Sequence, residues 1–188
     1  MNYLAHALLS ANNEALLIGN FIADHLRGNK FDNLPPTVIE GVKMHREIDA
    51  FTDTHELFKK SKRIFYPKYE KYSGVLIDIY FDHLLAKNFL ELADIRLNTF
   101  AQKVYGMYNN NKHILPKSSE RFLNYVINNN IYEAYAEKDG ITTVLGHLSQ
   151  RINHGVQLQN SIADFIEHEK ILEDNFKLFF QEAQQKFR

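Results

Sequence analysis

Apolar residues recur every three or four positions along most of the chain, and strict period-two alternation is nearly absent. Asn12-Asn13-Glu14 opens a run through Leu16, Leu17, Phe21, Ile22 and Leu26, with Gly28 placed to end it. Pro35-Pro36-Thr37 starts the next helix, whose Val38, Val42, Ile48 and Phe51 keep helical spacing. Thr54 reads as the cap of a short basic helix ending before Pro67. From Tyr69 to Phe89 apolar residues occur all round, which predicts a central helix rather than a surface one. A helix near 94–111 follows, then a polar break at Asn109-Asn110-Asn111. Ser118-Ser119-Glu120 caps a helix near 119–129, shorter ones lie near 131–138 and 141–153, and a long one closes the chain at 158–187. Asp139-Gly140 is the lone hairpin-like dipeptide, and it falls between helices. The expected fold is all-α, one helical bundle over residues 1–188.

Composition agrees with a packed core: 188 residues, 45% hydrophobic and 24% charged. The absence of cysteine removes disulfides, thiolate zinc sites and cysteine nucleophiles together. No stretch approaches the ~18 apolar residues of a membrane span, and Met1–His6 lacks the cationic start and apolar run of a signal peptide. A soluble, cytoplasmic protein without a membrane partner is expected. The net charge of −1 offers no global field for a polyanion, and no nucleic-acid-binding module is recognisable. Charge is nonetheless uneven. Lys59, Lys60, Lys62, Arg63, Lys68 and Lys71 cluster against Glu70 alone, either as a solvated helix face or as a docking patch.

Candidate chemistry lies on three predicted helices. Asn20 and Asp24 are i,i+4; so are His45 and Asp49, with Asp53 continuing the stripe; so are Asp78 and Asp82, with His83 adjacent. Residues four apart share a helical face, so each helix can offer two groups to one point. Carboxylate oxygens and imidazole nitrogens suit manganese, magnesium or iron. Asp78 and Asp82 sit in the most apolar helix, where a buried carboxylate costs several kcal/mol without a cation or strong donors. Arg27, Arg46 and Arg151 are the alternative counterions. Each residue also has a structural reading: Asp24 in an exposed turn, Asp53 near a cap, His6 as a satisfied core histidine. His147 and His154 flank Arg151 without a metalloprotease motif, and no nucleophile elbow, phosphate loop or dinucleotide fingerprint occurs.

Met1–His6, Gly19–Asp24 with Arg27-Gly28, Gly41–Asp53 and Asp78–Leu85 together resemble the acyl carrier protein phosphodiesterases. The likeness is dense over the first ninety residues and thinner afterwards, at Asn124-Tyr125 and the stretch ending Ser149-Gln150-Arg151. The resemblance implies a bacterial cytoplasmic enzyme that removes 4′-phosphopantetheine from holo-acyl carrier protein, with manganese as the usual metal. It also implies a divergent branch of the helical HD-domain phosphohydrolases. The chain departs from that superfamily's pattern, because it contains no His-Asp dipeptide; Asp24-His25 and Asp82-His83 run in the opposite order.

From the spacing and the family motifs together, Asp24, His45, Asp78 and Asp82 are expected to hold the metal, activating water for attack on phosphorus. Arg46 or Arg151 would clamp phosphoryl oxygens, and His83 or His6 would protonate the departing serine. Asn20, Asp49 and Asp53 would orient the ligands. Lys59, Lys60, Lys62 and Arg63 would dock the acidic carrier. Two alternatives stand beside this one: an HD-like phosphohydrolase acting on a nucleotide or other small phosphodiester, and a non-catalytic helical binding module.

Overall fold

A computed structural model describes residues 2–26, 31, 34–152 and 155–188. Gly28, Arg27 and His154 lie outside the described residues. Helices account for the architecture and no strand occurs among the described residues, as the periodicity requires. Buried side chains from every part of the chain join in one hydrophobic cluster. No helix in this region is long and apolar enough to cross a membrane.

At the centre are α1 (Tyr3–Ser10) and α5 (Ser73–Lys87). From Leu4 to Ser10 every α1 residue is buried, so this short helix can persist only inside a shell of others. The N-terminal end of α1 is capped from another helix. Asp82 of α5, fully buried, accepts the N–H groups of Leu4 at 2.8 Å, Ala5 at 3.2 Å and Asn2 at 3.3 Å. A helix start carries orphan donors and a positive dipole end, and one carboxylate answers both.

Against α1 lies the pair α2 (Glu14–Ile22) and α3 (Pro36–Thr54). Asn13 caps α2, its side chain accepting from Ala15 N–H at 2.9 Å and Leu16 N–H at 3.2 Å. Pro36 opens α3 where a missing N–H is harmless. The two helices cross at glycines. A Cβ on Gly19 would stand 1.9 Å from the Val38 carbonyl oxygen, and one on Gly41 would stand 2.3 Å from that of Leu16. Backbones therefore touch there, and Asn20 and His45 are brought close by the same crossing.

The remaining shell comprises α4 (Glu56–Tyr69), α6 (Phe89–Ala93), α7 (Leu97–Asn110), α8 (Lys117–Asn128), α9 (Ile131–Ala134), α10 (Lys138–Arg151) and α11 (Ile162–Phe187). Several boundaries depart from the sequence expectation. His55 rather than Thr54 caps α4, its ring accepting from Leu57 N–H, while the Thr54 hydroxyl donates back to the Ala50 carbonyl. Pro67 lies inside α4, which runs on to Tyr69; only the last turn meets the missing donor. The expected 69–89 helix begins later, because Glu70 takes a positive φ of 42° and leads a 3₁₀ turn. The helix expected near 94–111 begins at Leu97, because Asp94 takes a positive φ of 54° and closes a short helix, α6, before it.

Candidate metal centre

Three helices deliver an imidazole–carboxylate cluster to one cavity. His6 comes from α1, Asn20 from α2, and His45 and Asp49 from successive turns of α3. Asp24 follows α2 in the 3₁₀ turn Ala23–His25. Asn20 Oδ1 stands 2.8 Å from His6 Nδ1 and 2.9 Å from His45 Nδ1, with all three side chains buried. The rings lie 4.4 Å apart. Their far nitrogens both face carboxylates: His6 Nε2 is 3.2 Å from Asp49, and His45 Nε2 is 3.1 Å from both Asp49 and Asp24. His6, His45 and Asp49 each bring a ligand atom to within 4.8 Å of the others. Asp24 joins through His45.

The electrostatics follow from this packing. Burial alone would keep His45 neutral, but hydrogen bonds to Asp24 and Asp49 outweigh it and push the ring up to about 9. The His45 hydrogen bond holds Asp24 below the usual carboxylate range. Burial opposes the charge on Asp49, yet His45 and His6 hold its carboxyl well below the usual range. For His6, burial dominates and lowers the ring below its ordinary value. Its Nε2 is buried and stands 3.2 Å from Asp49, outside hydrogen-bond geometry. With the Asn20 amide oxygen accepting from both Nδ1–H groups, both Nε2 atoms face carboxylates: His45 shares its Nε2 proton with Asp24 and Asp49, and neutral His6 turns a lone pair to Asp49. A divalent ion in place of that proton would meet imidazole nitrogens and carboxylate oxygens together, so the donor set fits one.

The cavity has a volume of about 460 Å³, within the range of small-molecule sites. His6, Asp24, His45, Asp49, Asp53 and Asp78 give it an acidic and imidazole wall. Phe122 and Tyr125 of α8 line it too, with Val144, His147, Leu148 and Arg151 of α10. Tyr3 lines the cavity as well: its ring packs 4.5 Å from Phe122, and burial, with the Asp24 carboxylate nearby, raises its hydroxyl.

A family model described as acyl carrier protein phosphodiesterase matches residues 1–183. The chain belongs to the acyl carrier protein phosphodiesterase family. A relative of that name from Yersinia pestis is 34% identical over 184 residues, covering 96% of this chain and 94% of its own. With the same coverage, namesakes from Enterobacter sp. (strain 638) and Salmonella agona (strain SL483) are 32% and 31% identical. No solved structure matches.

In this family member the residues singled out by spacing divide. Asp24 and His45 meet, with Asn20 behind His45 and Asp49 beside it. Asp78 and Asp53 line the same cavity, and burial raises the Asp78 carboxyl. Asp82 does not reach it. Although Asp82 is i,i+4 from Asp78, its oxygens are turned to the start of α1, so the expectation of a metal ligand gives way to a helix-capping role. His83 also departs: its Nδ1 donates to the Tyr135 carbonyl at 2.7 Å, and it borders a separate recess with Lys87, Lys138 and Glu169, which removes it as proton donor. Arg46 is exposed, stacks over Phe31 at 5.4 Å and is not among the cavity-lining residues, whereas Arg151 is. His6, expected as a proton donor, stands with His45 and Asp49 instead. That placement left no signal in spacing, because His6 is alone on its helix.

Proposed function

We propose that the chain hydrolyses the phosphodiester joining 4′-phosphopantetheine to the serine of a holo-acyl carrier protein, releasing the apo-carrier. The reaction uses a divalent ion, Mn²⁺ foremost and Mg²⁺ or Fe²⁺ as substitutes, held by His6, His45 and Asp49 with Asp24 adjoining. The observation that carries the metal is Asn20 Oδ1 touching both Nδ1 atoms, which directs the Nε2 atoms of His45 and His6 at the Asp24 and Asp49 carboxylates. Mixed imidazole and carboxylate donors suit these ions. When bound, the ion supplies Lewis acidity toward a phosphoryl oxygen and toward water. The name of the relatives supplies the substrate class.

The rest falls to the chain's own residues. Arg151, over Tyr125 at 5.7 Å and lining the cavity, offers a planar guanidinium to two phosphoryl oxygens. Asp53 and Asp78 stand beside the cluster, where they orient water and ligand atoms. Apolar Val75, Ile79, Val144 and Leu148 exclude water from the part of the cavity that receives the arm.

Carrier docking falls to α4. Lys59, Lys62 and Arg63 form a shallow groove with exposed Tyr66, and Lys60 extends the basic face. Lys62 Nζ lies 3.9 Å from where a Cβ on Gly74 would stand, one residue before Val75 on the cavity wall. A basic face continuous with the cavity mouth suits an acidic carrier whose modified serine must enter it.

Purified protein incubated with holo-acyl carrier protein and Mn²⁺ should shift the carrier's intact mass by loss of the arm, and chelator should stop it. An unchanged carrier mass with Mn²⁺ present would sink the assignment. The two alternatives part from it in the same assay: a nucleotide phosphohydrolase would spare the carrier while cleaving small diesters, and a binding module would cleave neither.

A further inference from the structure

We infer that His147 is the catalytic acid for the departing serine, and that Tyr125 is its positioning residue. The inference rests on the phosphodiesterase reading above and assigns a residue that reading leaves without a role. Positions 144, 147, 148 and 151 share one face of α10, and all four line the cavity that His6, His45 and Asp49 also line. His147 is half-buried there, and its Nδ1 lies 3.0 Å from the Tyr125 hydroxyl. Tyr125 is itself held under the Arg151 guanidinium. A phosphoryl group gripped by Arg151 therefore sits one helical turn from the His147 ring.

The proton balance closes with this geometry. With Nδ1–H donating to the Tyr125 oxygen, the ring keeps one tautomer in both protonation states, and Nε2 is the atom that gains and loses the proton. Water oxygen forms the new bond to phosphorus and releases its proton to solvent. The bond from phosphorus to the serine oxygen breaks, its electron pair stays on that oxygen, and His147 Nε2–H supplies the proton. The ring then takes another from solvent. A serine alkoxide is a poor leaving group, so this step needs an acid; His83 borders another recess, and His6 stands within the imidazole–carboxylate cluster.

The test varies the leaving group. Holo-acyl carrier protein is compared with the 4-nitrophenyl ester of 4′-phosphopantetheine, which releases a stable anion and needs no protonation. His147→Gln should lower kcat on the carrier roughly 100-fold or more while leaving cleavage of the aryl ester near wild type, which also shows that the variant is folded. Tyr125→Phe should lower carrier kcat by a smaller factor with KM unchanged and the aryl ester again spared. Equal losses on both substrates, or no loss on either, would overturn the role. A wild-type protein that cleaves the aryl ester but never the carrier would instead overturn the phosphodiesterase reading and this inference with it.

Discussion

Asn20 Oδ1 lies 2.9 Å from His45 Nδ1, and the same atom reaches His6 Nδ1 at 2.8 Å. One amide thereby sets the tautomer of two rings. If the oxygen faces them, both Nε2 atoms are open to a metal; if the amide nitrogen did, both would carry protons toward Asp24 and Asp49 and the site would exclude one. Asn20→Ala removes the shared acceptor without touching a ligand. Metal affinity should fall about 10–100-fold, read by Mn²⁺ titration, with stoichiometry unchanged. Affinity equal to wild type would show that the amide does not set the rings.

Asp82 yields a contrasting expectation. Asp82→Ala leaves the N–H groups of Asn2, Leu4 and Ala5 without their acceptor in a buried place, a loss of about 2–4 kcal/mol in stability. The folded fraction should still bind Mn²⁺, because the carboxylate caps α1 rather than facing the cluster. Denaturant unfolding and metal content separate the roles. Unchanged stability with metal binding abolished would return Asp82 to the ligands.

That contrast shows what spacing can convey. The all-helical class was legible, since periodicity near 3.6 runs through α3 and α11, and burial follows it, while α5 is apolar all round and buried as the central helix. Asn20, Asp24, His45 and Asp49 were legible as i,i+4 pairs because helical faces are local. Asp78 and Asp82 share that spacing, yet only Asp78 lines the cavity. Which of two neighbouring carboxylates meets a helix start and which meets the cavity depends on where α1 docks, and docking is not local. For the same reason His6 and the Tyr125–His147 pair gave no pattern: each partner comes from a different helix.

The cluster also makes stability depend on pH. In the metal-free protein burial opposes the His45 imidazolium, but Asp24 and Asp49 prevail and the ring rises from 6.5 to about 9. A basic group with a raised folded pKa stabilises fully below its unfolded value and loses that contribution as pH climbs through the folded one. Asp24 and Asp49, both lowered, contribute above 3.8 and lose it in acid. Apo-protein should therefore show its cluster-derived stability between about pH 4 and 6.5, weakening toward 9. Mn²⁺ must displace the His45 proton, so the rise in Tm that it produces should grow across the window from 6.5 to about 9. A Mn²⁺-induced shift independent of pH in that window would remove His45 from the ligand set.

The basic face of α4 can be separated from the chemistry. Lys59 already pairs with Glu56 at 3.1 Å, so Lys60, Lys62 and Arg63 should carry most of the attraction for an acidic carrier. Replacing Lys59, Lys60, Lys62 and Arg63 together with Ala should raise the carrier KM on the order of tenfold at low salt. Their side chains lie on the outer surface of α4 and none lines the cavity, so cleavage of the 4-nitrophenyl ester of 4′-phosphopantetheine should be unaltered. Salt should do to the wild type what the substitutions do, because an exposed charge field is screened within about 10 Å at 0.1 M ionic strength. The wild-type and variant KM values should therefore converge as salt rises. Wild-type carrier kinetics that stay flat across the salt series, or a variant whose aryl-ester cleavage falls with its carrier cleavage, would show that α4 does not dock the substrate electrostatically.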